Sequence, residues 1–287
     1  MPPDPEREKA PAVGRAFTLL RTLAATGPIS LSDILERTQL NKSTAYYLLR
    51  SLMAQNAVEF DESGRRYRLG IGLIELGAAA SEGLTELFVA RRFLAEFVER
   101  VNATVVLYQR VSSTQIMIID KIERSGRVRI SLQVGTRIPI QGGSGGRVFL
   151  AYDEPADVDT VLSNGLHAFT PKSVTDIQTF RNELVATREQ GWIEDHEGFA
   201  LGVSAVAAPI FGPGNKITAV AAAVDFANVL TPEVAAEYGP LLRDTCEQIG
   251  RAIAAVGLHA GADSGVWAPS ISLGRGDGYE IGTEPRR

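Results

Sequence analysis

Apolar positions in the first part of the chain recur with a helical period. From Lys42 to Asn56 they fall at Ala45, Leu48, Leu49, Leu52 and Met53, three and four residues apart, a single stripe that faces a core. Asn41 suits the N-cap, because its side-chain oxygen can accept from a first-turn N–H, and Asn56 tolerates the left-handed conformation that closes a helix. A shorter stripe, Leu31, Ile34 and Leu35, lies just upstream with Ser30 or Ser32 as its cap, and the break at Gln39 to Asn41 is only a few residues long. Two short helices joined by so tight a turn predict a helix-turn-helix. Before them VGRAFTLLRTLAATG carries Val13, Phe17, Leu20 and Ala24 as a further stripe, stopped by Gly27-Pro28. After them VEFDESGRRYRLG predicts a strand, a turn at Glu62 to Gly64 and a second strand bearing Arg65, Arg66 and Arg68. Three helices and a basic hairpin make a winged helix-turn-helix over residues 11–70.

The pattern then changes. Residues 71–82, with Ile71, Ile74 and Ala78 in a stripe, predict a connecting helix, and TELFVARRFLAEFVERV a longer one with Leu87, Phe88, Phe93, Phe97 and Val101 inward. Strands are expected at VVLYQRV, QIMIIDKI, VRISLQV and RIPI, followed by helices at GRVFLAY and DIQTFRNELVATREQG. The apolar runs VSAVAAPIF and ITAVAAAVDF flank the turn Gly212-Pro213-Gly214-Asn215, a hairpin signature, and a last helix is expected from Pro232 to about Leu258. Hairpins outnumber crossover helices, so the fold class is α+β with an antiparallel sheet in a second domain over residues 83–260. Residues 1–10 and 261–287 carry no stripe and are rich in Pro, Gly or charge, which predicts disordered tails.

The residues left off the stripe of the second helix are Lys42, Ser43, Thr44, Tyr46, Tyr47 and Arg50. In a helix-turn-helix that helix enters the DNA major groove by its N-terminal turns. Lys42, Ser43 and Thr44 suit phosphate anchoring at the positive helix end, and Tyr46, Tyr47 and Arg50 suit base edges or thymine methyls. Arg65, Arg66 and Arg68 would track phosphates or the minor groove. A solvated polar face explains any one of these elements, but not four in the order a DNA reader requires. Charge supports the division: ten Lys and Arg against nine Asp and Glu through residue 75 give +1, and the remainder carries −6. Cys246 stands alone, which excludes an intramolecular disulfide or a cysteine metal cluster, and no cofactor is expected. No apolar run approaches ~18 residues, so a cytoplasmic protein without a membrane span is expected.

Gly142, Ser144 and Gly146 spell G-x-S-x-G between a strand and a helix, the context of a hydrolase nucleophile, with Asp195 and His196 or His259 as partners. Against it stand the hairpins that follow, where such a fold needs alternating strand and helix. A phosphate-binding loop fails for want of Gly-Lys-Ser/Thr. The stronger reading has Ser144, Gly145 and Gly146 presenting N–H groups at a helix start to a carboxylate or other oxygen of a small ligand. Tyr108, Met117 and Ile119 sit on early strands and read as ordinary core.

The segments GRAFTLLRTLA, NKSTAYYLLRSL, YRLGIGLIELG, PIQGGSGGRVFLA and REQGWIEDHEGFALGVSAVAAPIF, in that order, resemble the IclR-type bacterial transcriptional regulators from about Val13 to Leu258. The resemblance implies a winged-helix DNA reader joined by a linker helix to a GAF-like effector-binding domain, working as dimers or dimers of dimers on operator DNA. It implies further that the Gly-rich loop faces Asp195 and Ala205, with Asp195 accepting from a hydroxyl or amine of the ligand. The chain departs from the family at three places. Tyr47 stands where arginine is usual, Gln39 replaces the customary turn glycine, and Ala222 and Val224 replace recurrent serines on the last inward-facing strand. Gln39 should therefore avoid a left-handed conformation or bear strain. The apolar replacements favour a compact organic acid with an apolar or aromatic middle over a heavily hydroxylated one, because orphaned polar groups cost about 1 to 3 kcal/mol each. A hydrolase with a DNA-binding head and a ligand-free dimerisation module are the alternatives.

Overall fold

The computed structural model describes residues 10–82, 85–101, 103–123, 130 and 132–262. The expected tails lie almost wholly outside them. The chain divides at Thr85/Glu86 into two compact units.

The first unit is built of α1 (Pro11–Thr26), α2 (Leu31–Thr38), α3 (Lys42–Ala54), the hairpin β1 (Val58–Asp61) and β2 (Arg66–Leu69), and α4 (Gly72–Glu82). Of the two candidate caps for α2 it is Ser30 that serves, in a reciprocal capping box with Asp33. Asn41 caps α3, its Oδ1 accepting the Thr44 N–H at 2.8 Å. Gln39 does adopt the left-handed conformation, at φ 55°, so a non-glycine residue carries that cost in the turn. Ile29 bonds Tyr67 in both directions and ties the α1–α2 connection to the wing.

The core of this unit joins Leu19, Leu23, Ile34, Leu49, Val58 and Tyr67. Two expectations change. The stripe of α1 is rotated: Val13 and Phe17 are 56% and 53% exposed while Leu19 and Leu23 are buried. Arg65 lies in the turn at φ 49° rather than on a strand.

The second unit centres on a six-stranded antiparallel sheet in the order β5-β4-β3-β8-β7-β6. The strands are β3 (Thr104–Arg110), β4 (Gln115–Ile122), β5 (Arg137–Pro139), β6 (Ile193–His196), β7 (Val203–Phe211) and β8 (Ile217–Phe226). Helices α5 (Thr85–Val101) and α9 (Pro232–Ala262) cover one face. Helix α6 (Gly143–Ala151) lies on the other, with α7 (Pro155–Leu162) and α8 (Ile177–Gln190) in the same core. Alternate residues divide between the two cores: Val106, Tyr108, Ala207, Ala222 and Val224 pack beneath α6, whereas Val105, Leu107, Val206, Ala221 and Ala223 pack against α5 and α9. A sheet buried on both faces needs apolar residues at every position, which is why β7 and β8 read as unbroken apolar runs.

The apolar stripe of α5 is Ala90, Leu94, Phe97, Val98 and Val101, and Phe88, expected inward, is exposed. Of VRISLQV, residues 128, 129 and 131 lie outside the described residues, and Ile130 and Leu132 to Val134 are not strand. Helix α7 was not expected, although Pro155 at its first turn and Val158, Val161 and Leu162 on its buried side carry the signal. No helix among the described residues is long and apolar enough to cross a membrane.

Candidate functional site

The solvent-facing head of α3 is assembled as its polar residues require. Tyr46 and Tyr47 are exposed and meet edge to face at 6.4 Å, and the Arg50 guanidinium lies 6.0 Å from the Tyr46 ring. Lys42 is exposed and Thr44 half-buried, while Ser43 donates its hydroxyl proton to Asn41 Oδ1 at 2.9 Å. On the wing Arg65 and Arg66 are exposed and form no ion pair among the described residues. Arg68 instead pairs across the hairpin with Glu59 at 2.8 Å, so its charge is already balanced.

In the second unit the Gly-rich segment folds as the start of α6, beneath which lies a cavity of about 200 Å³. Ser144, Gly145, Asp195, Ala205 and Val224 line it together with Tyr108, Ile116, Ile138, Phe199 and Val203. Two residues expected there are elsewhere. Gly146 faces the Ile140 backbone so closely that an added Cβ would lie 2.0 Å from the carbonyl oxygen, so it serves the close approach of α6 to the turn after β5. Ala222 is fully buried in the core between β3 and β7.

The lining is mainly apolar, with a few polar groups set into it. Gly142, the N-cap of α6, offers no side chain to the first-turn N–H groups. Ser144 and Tyr108 are buried residues that line the cavity, and their hydroxyls have no hydrogen-bond partner among the described residues. Burial, and secondarily the charge of Asp195, raises the Tyr108 phenol well above its ordinary range. Tyr108, expected as plain core, is thus also part of the cavity wall.

Asp195 differs most from expectation. Its Oδ1 is bonded by Arg147 Nη2 and its Oδ2 accepts the Phe199 N–H at 3.1 Å, so it is not a free acceptor. Arg147, which the sequence pattern did not single out, is only 7% exposed. Its Nη1 donates to Glu183 Oε2 at 2.8 Å and its Nε to the Gly143 carbonyl at 3.2 Å, joining α6 to α8 and β6. Behind this pair lies a second, more polar cavity of about 240 Å³, which shares Gly143 and Asp195 with the first and adds Arg147, Glu183 and His196. At its rim Lys172 bonds Glu197 and holds that carboxyl below its usual range.

A nucleophile reading of Ser144 finds no base among the described residues. His196 bonds Ser204 Oγ through Nδ1 at 2.8 Å, and the His259 side chain lies outside the described residues.

Residues 83–251 match the family model for the bacterial transcriptional regulator IclR C-terminal domain, and residues 12–62 that for the IclR helix-turn-helix domain. The HTH-type transcriptional repressor AllR of Salmonella typhimurium is 28% identical over 253 residues, 87% of this chain and 93% of that protein. An IclR transcriptional regulator from Alicyclobacillus acidocaldarius superimposes with a TM-score of 0.78 at 32% identity, covering 84% of this chain and 98% of the other. An IclR homologue from Microbacterium hydrocarbonoxydans, solved in complex with 4-hydroxybenzoate, shares the fold with a TM-score of 0.73 at 24% identity, over 84% and 99% of the two chains.

Proposed function

The chain belongs to the IclR family of bacterial transcriptional regulators, and from that membership we infer that a small organic acid, bound in the apolar cavity beneath α6, controls its hold on operator DNA. It is a regulator and not an enzyme. The observation that carries the effector reading is a mainly apolar cavity onto which the Ser144 and Tyr108 hydroxyls face with no partner among the described residues. A ligand oxygen bonded by these hydroxyls would replace the water they otherwise face, for a net gain of about 1 kcal/mol per hydrogen bond. An apolar cavity of about 150 Å³ accommodates benzene, so the volume here admits one substituted ring. The N-terminal turn of α6 would receive the carboxylate, Ile116, Ile138 and Val224 the ring, and the Tyr108 hydroxyl a polar substituent. The 4-hydroxybenzoate held by the Microbacterium homologue has this chemistry and serves as the first probe.

On the DNA side the exposed Tyr46, Tyr47 and Arg50 would read bases. Lys42, Thr44, Arg65 and Arg66 would hold phosphates, with Ser43 and Arg68 weaker contributors because each already has a partner. One such head makes a modest contact, so affinity calls for pairing on a two-fold operator. The second copy would be met through Val13 and Phe17 of α1 and through Ile71, Ile74 and Leu76, all exposed. A dimer of dimers would follow from further contacts of the same chain. DNA retardation on the intergenic region beside the gene, with a panel of small aromatic and aliphatic acids, tests the whole reading. A shift altered by an aromatic acid supports it. Specific binding that no acid alters, with no thermal stabilisation by any of them, would leave a ligand-free dimerisation module.

A further inference from the structure

We propose that Arg147 decides whether the apolar cavity can hold an anion, by neutralising Asp195 from the side of the polar cavity. This rests on the effector reading above and extends it to what sets ligand charge. Asp195 is the one charged residue among the described residues lining the apolar cavity, and it is 6% exposed. Left alone, it would oppose a carboxylate at the start of α6, since two buried like charges disfavour each other's ionised form. Arg147 does not line that cavity; it reaches Asp195 from behind, where it lines the polar one. Its guanidinium also bonds the carbonyl of Gly143, the first residue of α6, so one rigid fork joins the acid to the turn where the carboxylate would sit. Burial of both partners keeps solvent from screening the pair. Glu183, the third member, is 33% exposed at its side chain and belongs to the polar cavity, so solvent screens it and it contributes little charge to the apolar one.

A staple that merely joined α6 to α8 and β6 would have no preference for ligand charge, and this separates the two roles. Calorimetric titration of the full chain with 4-hydroxybenzoate and with the neutral 4-hydroxybenzamide would be run on wild type, Arg147→Met and Arg147→Met/Asp195→Asn. Arg147→Met is expected to lose about ten-fold or more in affinity for the acid while the amide changes little. The double variant, with no charge left to neutralise, should regain acid binding. Equal losses for acid and amide, or no recovery in the double variant, would overturn the proposal.

Should neither probe bind wild type, the aromatic-acid reading fails while Arg147 is still tested without ligand. An unpaired buried carboxylate holds its proton to higher pH in the folded than in the unfolded chain, so it favours folding at low pH and loses that contribution as pH rises. Arg147→Met should therefore lose stability towards neutral pH in urea titrations. Asp195→Asn should abolish that dependence. A flat difference from wild type across pH 4 to 8, spanning about the range in which a displaced carboxyl titrates, would sink the neutralising role.

Discussion

The wing arginines and Arg147 bear the same charge in opposite surroundings. Arg65 and Arg66 stand in water with no ion partner among the described residues, whereas Arg147 is buried and spends its donors on Asp195, Glu183 and a backbone carbonyl. In water an unpaired guanidinium costs the fold almost nothing and stays available to a phosphate. In the interior it exists only with counterions, and its removal strands them. The two wing arginines therefore stay free for a partner, and Arg147 is consumed in the architecture of its own unit.

The largest expected effect tests this contrast in stability. Arg147→Ala should lower the unfolding free energy of the second unit by about 3 to 5 kcal/mol, because it leaves Asp195 buried and uncompensated. Arg65→Ala should stay within about 0.5 kcal/mol. Urea titration followed by Trp192 fluorescence reports the former and circular dichroism both; similar losses would erase the distinction.

Next in size is recognition. Tyr47→Ala and Arg50→Ala should each weaken operator binding by about 1 to 3 kcal/mol and leave random DNA nearly unaffected, as measured by anisotropy on both duplexes. Equal losses on the two would reduce these residues to nonspecific contacts.

A third expectation concerns pH. The folded state holds the Tyr108 proton above the ordinary phenol value, through burial first and Asp195 second. A raised acid loses stability as pH climbs past the unfolded value of about 10, since the unfolded chain then releases a proton that the folded one retains. Tyr108→Phe should remove that part of the alkaline loss, and phenolate absorbance should show one tyrosine fewer titrating only on unfolding.

The smallest effects lie on the wing. Arg65→Ala and Arg66→Ala should each reduce the salt dependence of DNA binding by about one counterion. Arg68→Ala should reduce it less, because Glu59 already balances that charge. Identical slopes for all three would mean that the Arg68–Glu59 pair opens on DNA.

Much of the first unit was legible residue by residue. Asn41, Ser30 and the stripe of α3 act within a few positions of themselves, so cap and period suffice to place the helices and to leave Tyr46, Tyr47 and Arg50 outward. Where periodicity misled, the cause is common: Phe17 and Phe88 are large and apolar yet exposed, and a stripe drawn through them is rotated from the buried face. Gln39 shows that a turn enforced by its neighbours can hold a non-glycine residue left-handed.

The cavity was only partly legible. Ser144 and Gly145 came from the Gly-rich helix start and Asp195, Ala205 and Val224 from family likeness, and the structure gathers those five; it places Gly146 and Ala222 in packing roles. Ala222 and Val224 share a face of β8, and no local rule says which of them sits at the cavity and which lies deeper between β3 and β7.

The sequence by itself determined most of the elements, their order and the outward head of α3, because caps, turns and stripes act over a handful of bonds. Only the tertiary structure decided what the acid of the cavity is paired with. Arg147 lies 48 residues from Asp195 in sequence, and an arginine on a short helix ordinarily reads as a solvated side chain. What buries and pairs it is the packing of α6 between α8 and the sheet, and such long-range contacts leave no period in the chain.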